Sequence, residues 1–308
     1  MLFDTIDPSN CNSQSQPWVD FWICAGIKQC IENLNETMKD ANTHRSIETT
    51  HTCMARITTG ALIIALFDKE STTKVITVAI HYGVIETLVK ASGECCDNGS
   101  FRCINAFGCV WDALQNIYEL MKERNIIQSD QANVVFDEGI NSFTRLTSIN
   151  ADDTAIVSKV LKNIFGTLIN IVSMNYETEN PFRFPDNPIR SICSILLLVG
   201  HDKSVINEAF QFFNCCRDKE IFTDGHDYEL MLPLLCKVIG EYGTPDNPAI
   251  LENALLLVRA ACERIDNKNV LLQSGVIESL IKLLASNNIN AIQKTSIKES
   301  INFCVTNS

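Results

Sequence analysis

Glycine and proline are scarce, at 13 and 8 in 308 residues. That is too few to supply the tight turns of a many-stranded sandwich or barrel of this length. Basic residues are also in deficit, 25 against 37 acids for a formal net charge of −12, and both halves of the chain share the imbalance. Without clustered Lys and Arg to displace phosphate counterions, nucleic-acid binding is excluded as the main role. Long apolar runs are missing too: 61–67 and 195–199 fall far short of the roughly 20 residues a membrane-spanning helix needs. The opening MLFDTIDPSNCNSQSQPW places acidic and polar residues where a secretory signal carries a basic start and an apolar core. The expected compartment is therefore the cytoplasm, with the nucleus also open.

Catalytic signatures are absent as well. The sequence contains no P-loop, dinucleotide fingerprint, H-E-x-x-H helix or G-x-S-x-G elbow, and its histidines (His44, His51, His81, His201, His226) are scattered over separate segments. No enzyme activity and no cofactor are expected. The 14 cysteines are plentiful, yet Cys24, Cys30, Cys193, Cys236, Cys262 and Cys304 sit inside helical apolar patterns, where a free thiol acts as a small hydrophobe. They are taken as reduced. Cys95, Cys96, Cys103 and Cys109 with His81 lack the usual ligand spacing of a zinc site, and Cys215 and Cys216 near His226 and Asp227 read as a helix exit.

What is present is helical periodicity. Apolar residues recur every three or four positions at Trp18, Phe21, Trp22, Ile23, Ile27, Ile31 and Leu34 behind Pro17, and again at Met54, Ile57, Leu62, Ile63 and Leu66. A short helix over 74–80, a break at Tyr82-Gly83, a second helix over 84–91 and a long third helix over 102–124 follow. In the third, Ile104, Phe107, Val110, Leu114, Ile117 and Met121 form an apolar stripe, with Asn105, Asp112, Asn116 and Glu119 opposite. The fold class is all-α. Residues 1–16 are a polar, flexible segment and 17–308 a single domain.

The pattern also repeats. SGVIESLIKLLA over 274–285 is echoed by HYGVIETLVKA from His81, EGINSFTRLTS from Glu138 and CAGIKQCIENL from Cys24. Recurrence of a glycine break and an amphipathic helix marks a stacked helical solenoid, each copy burying its apolar face on its neighbours. Landmarks at Gly26, Gly83, Gly139 and Gly275, with degenerate copies near Pro188 and Leu230, are spaced by steps that shorten along the chain toward the ~40–47 residues of such repeats. Two phases fit the middle. Either a repeat begins near Pro188, or 189–213 holds a third helix and the next unit's first helix, as the likeness of 195–199 to 254–258 and the doubled Pro-Asp-Asn-Pro at 185–188 and 245–248 favour. The terminal helix over 291–305, with Ile297, Ile301, Cys304 and Val305 inward and Lys294, Lys298 and Asn302 outward, reads as a cap.

A short helix, a glycine break, a second helix and a third carrying Ala113-Leu114-Gln115-Asn116-Ile117 resembles the armadillo repeat, whose third helix bears an A-L-x-N-L pattern. The resemblance implies a right-handed superhelix of about six degenerate repeats. It also implies a non-enzymatic scaffold that binds another protein, through a basic or extended segment, along the concave surface of third helices. Trp111, Asp112 and Asn116, with Asn170 as a weaker match, are the candidate partner-binding residues. A regulatory subunit or assembly chaperone of an enzyme is the alternative. An importin-like nuclear-import adaptor is weaker, because Ile64 and Arg259 stand where its asparagine ladder would continue and Trp111 is one residue off its usual offset. The acidic stretch 218–229 reads as a solvated loop.

Overall fold

The computed structural model describes residues 25–26, 28–37, 73–97, 100–101, 103–126, 129–147, 154–174, 182, 188–199, 202–222, 224–242, 246–266, 268–286 and 289–306. The helix expected over 54–66, the start at Pro17 and the 1–16 segment lie outside them. The described residues are almost wholly helical. Two strands of two residues each, Cys96–Asp97 and Ser100–Phe101, are the exception. The helices are α1 (residues 28–37), α2 (Thr73–His81), α3 (Val84–Glu94), α4 (Ile104–Glu123), α5 (Ser129–Leu146), α6 (Thr154–Ser173) and α7 (Pro188–Leu198). They continue with α8 (Lys203–Asp218), α9 (Gly225–Tyr242), α10 (Pro248–Arg264), α11 (Lys268–Gln273), α12 (Val276–Ala285) and α13 (Ala291–Thr306). Two compact units emerge: Met1–Asp97 with Arg102–Gln131, and Asn98–Phe101 with Ala132–Ser308.

In the first unit, α2 turns into α3 through Gly83, whose φ of 77° lies in the left-handed region where a side chain is strained. The Gly83 N–H donates to the Ile80 carbonyl at 2.9 Å, and the Gly83 carbonyl accepts from Thr87 N–H at 3.0 Å, so one residue ends the first helix and starts the second. α3 buries Val84, Ile85, Leu88 and Ala91, and it packs on α4, which buries Phe107, Val110, Trp111, Leu114, Tyr118 and Met121. Asn35 Nδ2 donates to Thr87 Oγ1 at 3.2 Å, and Gln131 Nε2 to Glu86 Oε1 at 2.6 Å.

In the second unit the Gly83 turn recurs. Gly275, with φ 79°, joins α11 to α12, and its carbonyl accepts from Ser279 N–H at 2.9 Å. Both turns carry the same Gly-Val-Ile-Glu, at 83–86 and 275–278. Two sequences of neighbours follow: α6 packs on α8, α8 on α10 and α10 on α13, while α7 packs on α9 and α9 on α12. α9 also packs on α10, and α12 on α13. Buried phenylalanines knit α5, α6 and α8, with Phe165 ring centroids 4.8 Å from Phe143 and 5.8 Å from Phe212.

A second recurring device ends the long helices. After α4, Asn125 (φ 54°) sends its N–H to the Lys122 carbonyl, and Ile126 N–H reaches the Met121 carbonyl. After α8, Glu220 (φ 55°) bonds the Arg217 carbonyl, and Ile221 N–H the Cys216 carbonyl. These are paired Schellman closures, which satisfy carbonyls that a helix end leaves orphaned.

Several expectations are corrected. Gly139 and Leu230 mark no break: both lie inside continuous helices, α5 and α9. Gly139 lies against α6 instead, where an added β-carbon would stand 2.8 Å from Leu168 Cδ2 and the leucine would have to shift. The doubled Pro-Asp-Asn-Pro does not mark phase, because α7 after the first copy joins α9 and α12, whereas α10 after the second joins α8 and α13. Proline merely starts a helix in both places. Val305 is 59% exposed rather than inward, while Ile297 and Cys304 are buried as expected. Cys262 and Cys304 are not reduced thiols; α10 and α13 lie side by side with these Cα atoms 5.3 Å apart, inside bridging range, and the pair is disulfide-bonded. Finally, Ala155–Ser173 in α6 is long and apolar enough to cross a membrane by length and composition alone. It is mostly buried within the protein and packs on α8, with Lys159 and Lys162 exposed, the pattern of a core helix.

A close backbone approach lies at Gly225, the first residue of α9, where an added β-carbon would overlap the Arg264 carbonyl oxygen at the end of α10. Gly225→Ala therefore forces two backbones apart and is expected to cost about 1–3 kcal/mol, read as a lower urea midpoint; an unchanged midpoint would refute the close approach. Glu220 holds a left-handed conformation that glycine adopts without strain. Glu220→Gly is expected to raise stability by roughly 0.5–1 kcal/mol, and a lower melting temperature would count against the closure described.

Candidate functional site

The polar face expected on α4 forms as the periodicity requires. Asn105 and Glu119 are exposed and Asp112 and Asn116 partly exposed, one and two turns apart along one side of the helix. Trp111 does not join them. It is completely buried, its ring edge-on to Phe107 with centroids 6.3 Å apart. The reason is angular: position 111 is four residues after Phe107 and seven before Tyr118, so it falls on the buried stripe although it is next to Asp112 in sequence. Trp111 is thus withdrawn from any surface contact. Its indole N–H is buried without a hydrogen-bond partner among the described residues.

Asn170 lies in the second unit, near the end of α6, and is partly exposed; its carbonyl accepts from Ser173 Oγ at 3.0 Å. Its surroundings show a surface the sequence reading missed. Along α6, Lys159 and Lys162 are exposed; along α8, Gln211 is exposed and Asn207 and Glu208 partly so; along α10, Glu252 and Leu256 are exposed and Arg259 partly so. Each set recurs every three or four residues, so each is one stripe of its helix.

Successive helices are tied by polar contacts. Burial pushes the Glu208 carboxyl up from its ordinary range, and the Lys162 ammonium across on α6 pulls it back. Asn214 Nδ2 on α8 donates to the carbonyl and to Oδ1 of Asn253 on α10, both at 3.2 Å. Arg259 on α10 donates through Nε to Ser300 Oγ at 3.0 Å and through Nη2 to the Ser296 carbonyl and Glu299 on α13, each at 3.3 Å. Arg259, which stands where the armadillo resemblance places an asparagine, is therefore engaged by the next helix. A sequence signal existed for two of them: Asn214 and Arg259 are polar residues flanked by apolar ones.

No family model and no curated protein matches this chain. Its own geometry therefore carries the assignment. Among the described residues no three or more His, Cys, Asp or Glu side chains are grouped to hold a metal ion. His226 lies 3.6 Å from Glu229 at the start of α9, and Cys216 is buried. An open groove of about 520 Å³ is lined by Ala155, Ser158, Leu198, Val199, Asp202, Lys203 and Ser204. Asp202 is occupied there as the N-cap of α8, accepting from Ser204 N–H at 3.0 Å and Val205 N–H at 3.4 Å. Burial raises its carboxyl, but hydrogen bonds from Ser204, Val205 and Ser158 outweigh that and hold it below the usual carboxylate range.

Proposed function

We propose that this chain is a non-enzymatic interaction scaffold, an armadillo-like solenoid that binds an extended segment of another protein along the exposed stripes of its third helices. The observation that carries this reading is the side-by-side packing of α6, α8, α10 and α13, each leaving one polar stripe uncovered. The exposed amide of Gln211 on α8 offers donors and an acceptor to the N–H and C=O groups of an extended backbone, and within the first unit the partly exposed Asn116 on α4 does the same. The chain's net charge of −12 favours a partner with basic side chains. In this reading α4, α6, α8, α10 and α13 are the third helices, and the glycine turns at Gly83 and Gly275 separate first from second helices.

The test uses two partly exposed residues on the polar side of α4. Asp112→Ala combined with Asn116→Ala is expected to leave the melting temperature nearly unaltered and to weaken binding of a captured partner about tenfold. A photo-crosslinking residue at Gln211 is expected to trap a peptide segment of that partner. A stability loss of several kcal/mol, the scale of a core truncation, would make the α4 pair structural; crosslinks confined to the opposite helices α9 and α12 would place binding elsewhere.

A further inference from the structure

Four thiols of the first unit lie along the end of α3 and the first turns of α4. Cys95 closes α3 and is completely buried, Cys96 follows it, Cys103 is the N-cap of α4, and Cys109 stands further along that helix. The main chain sets Cys95 against Cys103, whose N–H donates to the Cys95 carbonyl at 3.4 Å. Cys103 Sγ in turn accepts from Ala106 N–H at 3.5 Å. Burial pushes the Cys95 thiol well up from its ordinary range, and Cys96, Cys103 and Cys109 add to the rise. Cys109 is six residues beyond the N-cap, about 9 Å along a helix axis, further than a disulfide spans. Cys95 and Cys103 are the pair whose backbones already face each other.

We propose that Cys95 and Cys103 form a reversible thiol–disulfide pair, a modification site oxidised by hydroperoxides, with Cys103 as the attacking sulfur and Cys95 as the resolving one. Cys103 is partly exposed and Cys95 is not, so the oxidant meets Cys103 first. The Cys103 sulfur attacks the peroxide oxygen, the O–O bond breaks, and the alkoxide leaves as an alcohol with the thiol proton, giving a sulfenic acid. The Cys95 sulfur then displaces hydroxide from Cys103, and that hydroxide leaves as water with the Cys95 proton. Two electrons pass from the thiols to the peroxide. Because Cys103 caps α4 and Cys95 closes α3, the bond fastens the end of one helix to the start of the next.

Treatment of the full chain with a small excess of hydrogen peroxide, followed by alkylation and non-reducing peptide mapping, tests this. The expected result is one new crosslinked species joining Cys95 to Cys103, the loss of two alkylation sites, and full reversal by dithiothreitol. The Cys262–Cys304 link is present before oxidation as an internal reference. Cys103→Ser, which keeps a capping oxygen, is expected to abolish the new species, whereas Cys96→Ser and Cys109→Ser keep it. A link through Cys96 or Cys109, irreversible oxidation of Cys103 without a link, or both thiols remaining alkylatable would each overturn the pairing.

Discussion

The structure depends on one constraint: no helix of this chain can bury its apolar stripe by itself. A three- or four-turn amphipathic helix is marginal in water, and tertiary packing rather than intrinsic propensity supplies most of its stability. Here that packing comes from neighbours on the same side. α8 lies between α6 and α10, α10 lies between α8 and α13, and α9 lies between α7 and α12. Removing one helix would therefore expose the flanks of two others. The polar ties from Asn214 to Asn253 and from Arg259 to Ser300 run along the same contacts, and they fix how far one helix slides on the next.

Repetition was legible in the sequence where backbone geometry demanded a residue type. Gly83 and Gly275 stand out because a left-handed turn between two helices excludes most side chains, and both carry Val-Ile-Glu after them. Gly139 looks the same in sequence and is mid-helix, lying against Leu168. The helix ends before Asn125 and Glu220 were legible, as the end of the third helix over 102–124 and the helix exit at Cys215 and Cys216; asparagine is a usual left-handed stop residue, whereas the left-handed glutamate at 220 carries no such signal. What ends those helices is the bonding of Ile126 and Ile221 back to Met121 and Cys216.

The candidate surface was legible in half. The spacing of Asp112 and Asn116 puts both on the exposed side of α4, whereas Trp111, next to Asp112 in sequence, faces the core. The α8 and α10 stripes went unread because neighbouring helices are recognised only once their order in space is known, and the doubled Pro-Asp-Asn-Pro pointed to the wrong order. The Cys262–Cys304 bond was hidden for the same reason: the cysteines are separated by 42 residues and meet only because α10 and α13 are neighbours. The same side-by-side order supplies the continuous polar stripes on which the proposed scaffold role rests.

Native-state hydrogen exchange on the second unit, with the Cys262–Cys304 bond reduced, measures this dependence on neighbours directly. If each long helix is held by the helices on its two sides, amides of α8 and α10 should show the greatest protection, and α13, which among the described residues has a neighbour in its row on one side, α10, should open at markedly lower free energy. Equal protection across α8, α10 and α13, or opening of α8 before α13, would contradict it.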